Sequence, residues 1–286
     1  DKLTLVSGAS VTMTAAQNNS FDSTVTAAGT ETITLSDASA AAGIAEVERY
    51  VLAAGAQSFT LGASGQNVTL DSTGSSGSVA ISTGTLTSVT GTLDDGTGND
   101  TIALTLAKTG VDISSANTTD VDSIALASGV SATMTIAQHA LITSAAGNNT
   151  VTLSDAGTVS GNAAVEGYVL AAAGNSAFTL GATGKNITTG SAGSDTIVVG
   201  TLTATGTFNT VSGDTVSLDT GIDISAVNGE GVGAGSALAA DKLTLVSGAS
   251  VTMTAAQNNS FDSTVTAAGT ETITLSDASA AAGIAE

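Results

Sequence analysis

Two short stretches of this chain space their side chains in a way that could do chemistry. Asp95-Gly-Thr-Gly-Asn-Asp-Thr-Ile102 and Gly190-Ser-Ala-Gly-Ser-Asp-Thr-Ile197 each fit most of the nonapeptide Gly-Gly-x-Gly-x-Asp-x-apolar-x. The first has Asp95 where the pattern opens on Gly, and the second has Ser191 in place of the second Gly. In such a turn the glycines permit a tight bend with carbonyls pointing inward. The aspartate supplies a hard oxygen, and the apolar residue docks the strand that follows. Calcium takes roughly six to eight oxygens, so an ion would sit between turns on adjacent coils. The candidate ligands are Gly98, Asp100, Gly193 and Asp195, joined by Asp214, which follows Asp195 by 19 residues. Gly147-Asn-Asn-Thr-Val and Gly29-Thr-Glu-Thr-Ile are decayed forms of the same pattern. The same residues also read as plain Asp/Asn–Gly turns, and both readings stand at this point.

Other reactive groups are sparse. There is no Cys, hence no disulfide, thiolate metal site or Cys nucleophile. His139 is the sole histidine, and the matching stretch reads Asn18-Asn19, so no triad or imidazole ligand is built in. Glu48 matches Glu166 and Asp112 matches Asp223. These are copies of one position, which reads as turn capping and not as an acid/base pair. The basic residues are Lys2, Arg49, Lys108, Lys185 and Lys242; Lys242 is Lys2 again, Gly167 stands for Arg49, and Gln66 for Lys185. No basic cluster results, and the chain reads as a non-enzyme. With 5 basic and 25 acidic residues, a net charge of −20 excludes a cationic groove for nucleic acid. No uncharged apolar run reaches the ~18 residues of a membrane-spanning helix.

The elements that must position these residues follow from repetition. Residues 1–46 recur unchanged as residues 241–286, and Asp1–Gln17 aligns with Asp122–Gln138. FTLGASGQNVT from Phe59 matches FTLGATGKNIT from Phe178. The organisation is therefore one repeat copy over 1–121, a divergent copy over 122–240, and the start of the next over 241–286. Beginning at Asp1 without a leader, the chain reads as a window of a longer tandem array. Within a copy, Leu52, Leu70, Val89 and Leu106 fall 18, 19 and 17 residues apart, each closing a short alternating run. Wider gaps separate Leu5 from Leu35 and Leu126 from Leu153.

Runs such as TITL, VTMT and TVTL alternate apolar residues with Thr, which is the chemistry of a strand with one buried face. Hydrophobic residues make up 42% of the chain, aromatics 2%, and Pro is absent, so the core must be narrow and aliphatic. The expected fold is all-β, a β-solenoid or β-roll-like tandem array. At ~20 residues per coil and ~4.8 Å per rung it would hold about 14 coils and rise ~65 Å. An array of β-sandwich domains is the competitor. It would need aromatic anchors, and only Tyr50/Tyr168 and Phe59/Phe178 are on offer. Ala38–Glu48 is the one stretch that could make a short helix, a bulged loop being the alternative.

On the two nonapeptide-like turns the chain resembles the repeat regions of very large RTX-type (repeats-in-toxin) secreted and surface proteins of bacteria. Its LASGVSATMTIAQ and GNNTVTLSDAGTV units are similar to repeats of giant bacterial adhesins. The resemblance implies a calcium-dependent β-roll or solenoid exported to the cell exterior. The expected function is thus a structural extracellular segment of a bacterial surface or secreted protein, forming a fibre, sheath or adhesin stalk. Its partner would be itself, stacked along the repeat axis into a filament. A surface-layer lattice is the alternative. Thr-x-Thr pairs at Thr12/Thr14, Thr24/Thr26, Thr85/Thr87 and Thr201/Thr203 raise a third possibility, an ice-binding face.

Overall fold

A computed structural model describes residues 2–21, 29–53, 55, 57–71, 77–97, 100–200, 202–229, 235, 237–240, 242–262 and 269–284. The chain divides into two compact units, Asp1–Asn149 and Thr150–Glu286. Both are built of short parallel strands stacked as a β-solenoid, with about 12 turns in the two units together.

Alternation explains the strands. Thr32–Leu35 buries Ile33 and Leu35 completely and turns its threonines outward. Parallel pairing in register then places like on like. Ile33 lies against Tyr50, Tyr50 against Val68, and Val68 against Leu93. A second column runs Met13, Leu35, and Leu52 against Leu70. Successive strands alternate between two sheets. In the first unit one sheet holds Ser10–Met13, Thr32–Leu35, Arg49–Ala53, Asn67–Asp71 and Leu93–Asp94. The other runs Ala41–Ala42, Gln57–Thr60, Ser78–Ser82, Thr101–Leu106, Ser123–Leu126 and Ile142–Ala145. Its inward column is Ala41, Phe59, Ile81, Leu104, Ile124 and Ile142. Most coils give one strand to each of two facing sheets, and the core is the aliphatic layer between them. Fully burying one Ile, Leu or Val there contributes about 1.5–3 kcal/mol.

The second unit repeats the scheme. One series is Thr150–Leu153, Gly167–Val169, Asn186–Thr188, Gly206–Asn209 and Val227–Asn228. The other is Thr158–Ser160, Ala177–Thr179, Thr196–Val199, Thr215–Leu218 and Lys242–Leu245. Ser250–Met253 pairs with Thr272–Leu275 in the last coil. Where coils meet at corners, backbone lies on backbone: a Cβ on Gly62 would strike the Gly43 carbonyl, and one on Gly181 that of Gly161.

Several expectations are corrected. Coil length is not near-constant: partners are 17 residues apart at Thr32↔Arg49, 25 at Val68↔Leu93 and 27 at Thr215↔Lys242. Longer loops explain about 12 turns in place of 14. Leu52 and Leu70 are true neighbours, but Val89 lies beside the Asp112 backbone and Leu106 pairs with Leu126 in the other sheet. Leu35 sits on Met13, not Leu5, and Leu126 lies between Leu106 and Ala145. Ala38–Glu48 forms no helix; it contains the strand Ala41–Ala42. Helices occur instead at Ala15–Asn19, Ile136–His139 and Ala255–Asn258. Each starts with a capping box in which Thr14, Thr135 or Thr254 and a Gln three residues on bond each other's backbone N–H. The aromatic residues reserved for a sandwich core serve the solenoid: Tyr50 packs on Phe59 with ring centroids 4.8 Å apart, and Tyr168 on Phe178 at 4.6 Å.

The copies defined by sequence are not separated in structure. Ala103↔Ser123 crosses the 121/122 boundary and Thr215↔Lys242 crosses 240/241 without interruption. In a solenoid each repeat is simply the neighbour of the next.

Candidate functional site

The aspartates picked out as calcium ligands share one structural position: the last residue before a strand that opens on Thr or Ser. Asp100 precedes Thr101–Leu106, Asp195 precedes Thr196–Val199, and Asp214 precedes Thr215–Leu218. Glu31, Asp122 and Asn149 occupy the same place before Thr32–Leu35, Ser123–Leu126 and Thr150–Leu153. From there each side chain reaches back one coil and accepts a backbone N–H that strand pairing leaves free.

The geometry is consistent along the chain. Asp195 takes Ser176 N–H at 2.7 Å on Oδ1 and Gly190 N–H at 2.8 Å on Oδ2. Its own N–H donates at 2.8 Å to Oδ1 of Asp214, whose Oδ2 accepts from Thr189 Oγ1 at 2.6 Å and Val211 N–H at 2.9 Å. Asn149 Oδ1 accepts Val130 N–H at 2.8 Å, and Asp122 Oδ2 accepts Ile102 N–H at 2.8 Å. Glutamates do the same over a longer reach: Glu31 accepts from Gly8 N–H and Glu48 from Glu31 N–H. Asp195 and Asp214 are each 1% exposed, so these bonds form in a medium where an unpaired amide would be costly.

This arrangement bears on calcium. The groups facing both oxygens of Asp195 and Asp214 are N–H and O–H donors, so the two carboxylates serve here as hydrogen-bond acceptors. Gly193 has φ +118° and lies over the Gly174 carbonyl, where a Cβ would collide. Close approach of coils explains that glycine. Asp100 accepts from Gly77 N–H through Oδ1, while its Oδ2 is buried without a partner among the described residues. Gly98 lies outside the described residues. Carboxylates do converge elsewhere: oxygens of Asp94, Asp95 and Asp120 lie within 4.8 Å of one another. Partial burial, then repulsion by Asp120, Asp122, Asp94 and Asp100, pushes the Asp95 carboxyl above the usual range. Asp120 was not among the sequence candidates; its signal was a carboxylate about one coil beyond the Asp94–Asp100 turn.

The remaining sequence candidates also find places. Asp112 and Asp223 cap turns, accepting from the N–H of Ser114 and Ser225 at 2.8 Å. His139 is buried, which holds its imidazole below the ordinary value. Gln66 turns inward to bond the carbonyls of Ile44 and Val47, and Lys185, at the matching position, bonds that of Ala163 at 2.7 Å. Among the described residues the Thr-x-Thr pairs do not share a flat face. Thr12 is in a strand while Thr14 caps a helix, and Thr85 and Thr87 lie between strands. Thr24, Thr26 and Thr201 lie outside the described residues.

A feature the sequence reading missed protects the sheet edge. Ala41–Ala42 is the last strand of its sheet. Against it, Asn19 donates Nδ2 to Ala40 O at 2.9 Å and accepts Ala42 N–H on Oδ1 at 3.1 Å, as a strand backbone would. Asn18 adds a bond to Ala42 O at 2.7 Å. Asn258 and Asn259 make the same contacts with Ala280 and Ala282. Among the described residues no helix is long and apolar enough to cross a membrane. No protein-family model, curated protein or solved structure matches this chain.

Proposed function

We propose that this chain is an architectural segment of a bacterial surface or secreted protein, exposed outside the cell and extended by stacking further copies of itself into a fibre or stalk. The observation that carries this reading is the return of one 46-residue sequence to one local structure. Ser10–Met13, Ala15–Asn19 and Thr32–Leu35 recur as Ser250–Met253, Ala255–Asn258 and Thr272–Leu275. A coil that regains these two strands and the capped helix in both places is a unit for building length, since stability in such arrays sums over neighbouring coils. The acidic, Cys-free composition and the resemblance to giant RTX-type and adhesin repeats support an extracellular location. Catalysis has no part in this reading.

Negative-stain electron microscopy of the chain, and of a version with residues 47–286 appended once more, tests it. Rods that lengthen by ~5 Å for each added coil, with end-to-end filaments at high concentration, are the expected result. Two-dimensional sheets would favour a surface-layer lattice, and globular particles of unchanged length would overturn both readings.

A further inference from the structure

On the outward face of the first unit's first sheet, Thr32, Arg49, Val51, Asn67, Thr69, Thr92 and Asp94 line a groove of about 360 Å³. Arg49 is the chain's one arginine, and it is exposed. It stands between Thr32 and Asn67 on neighbouring rungs. Asn67 is fixed by accepting Thr92 N–H on Oδ1 at 2.9 Å. Asp94 is paired with Thr69 and accepts Gly96 N–H at 2.8 Å. Two rungs along the sheet and two residues along the strands, about 12 Å in all, separate the backbone positions of Arg49 and Asp94, with hydroxyls and an amide between them.

The second unit supplies an internal comparison. Its matching rungs are Thr150, Gly167, Asn186 and Thr188, and Asn186 fixes Thr207 N–H just as Asn67 fixes that of Thr92. Only the charges differ: Gly167 replaces Arg49 and Asn209 replaces Asp94. Both charges are thus present in one copy and both absent from the other on an otherwise equivalent frame. The same rungs form in the second unit without them, so they read as a pair with a separate task.

We infer that this groove binds a saccharide carrying a single carboxylate. Arg49 takes the carboxylate through its planar fork, Asp94 accepts sugar hydroxyls, and the threonines and Asn67 bond those between. The ligand is polar, since the groove offers no exposed aromatic platform. It carries one negative charge, since one cation faces it and a chain of net charge −20 repels a polyanion. This goes beyond the architectural reading and does not depend on it.

The test is titration of the chain with 3′-sialyllactose, a trisaccharide with one carboxylate, and with lactose as the neutral comparator. Calorimetry or NMR shifts would follow the wild type, Arg49→Gly and Asp94→Asn. Both substitutions install residues the second copy already carries, and thermal melts check that folding is kept; Arg49→Gln repeats the test if Arg49→Gly lowers the midpoint. Saturable binding of sialyllactose, weakened at least about tenfold by each change and by the same factor or more for lactose, is expected. No binding at millimolar sialyllactose, binding that survives either substitution, or equal affinity for lactose would overturn the inference.

Discussion

Asp214 is 1% exposed and accepts hydrogen bonds from Asp195 N–H, Thr189 Oγ1 and Val211 N–H. Asp214→Ala strands all three donors in a dry corner, and leaving each one unmet costs ~1–3 kcal/mol. A loss of about 3 kcal/mol or more is expected in urea unfolding. Asp214→Asn should lose less, because Asn149 performs the same task with an amide. The two tyrosines give a second handle. Burial pushes the hydroxyls of Tyr50 and Tyr168 up to about 12, whereas in an unfolded chain they ionise near ~10. Their contribution is fully present below pH ~10 and is lost as pH rises toward ~12, because the unfolded state releases its protons first. Each tyrosine should account for a loss of up to about 3 kcal/mol over that window. Urea titrations at rising alkaline pH should show a shallower decline for Tyr50→Phe, which starts from lower stability because Ile44 N–H loses its 2.8 Å acceptor.

At the scale of elements, the helices Ala15–Asn19 and Ala255–Asn258 stand where other coils carry a second strand, and the Asn residues at their ends cover the chain beside them. An open strand edge invites pairing with other chains, and Asn19 and Asn259 block it by presenting a side-chain amide in place of a backbone. The double variant Asn19→Ala/Asn259→Ala should lose about 1 kcal/mol per site and aggregate after a shorter lag, followed by thioflavin fluorescence. Thr254→Ala should cost about 1 kcal/mol through loss of the cap. Its effect on the lag should be smaller, since Asn259 keeps its bonds. The strands were readable from alternation: TITL at Thr32 and TVTL at Thr150 each bury the predicted face. The helices were also legible in principle, as Thr-x-x-Gln at three matching positions. Alanine content drew attention to Ala38–Glu48 instead, where Asn side chains hold the chain extended.

For the whole molecule, coil-to-coil cohesion comes from two parallel ladders, the apolar columns between them, and side-chain acceptors at the corners. Asp195 and Asp214 work there as hydrogen-bond acceptors. A far-UV circular dichroism melt in Ca²⁺ and again in EGTA is therefore expected to give the same midpoint. Collapse of the β signal on chelation would show that carboxylates elsewhere, the Asp94–Asp95–Asp120 group first, tie the coils through an ion. The sequence by itself determined the fold class, the two-faced strands, the repeats and the shared position of Asp100, Asp195 and Asp214, because burial period and turn chemistry are local properties. Which strand lies on which, as with Met13 under Leu35 or Leu106 beside Leu126, was decided only in the tertiary structure. Each coil carries two strands of the same pattern, so periodicity cannot sort them between sheets. The partners of the buried acids were hidden for the same reason: an amide one coil away becomes a donor only when the stacking register leaves it unpaired.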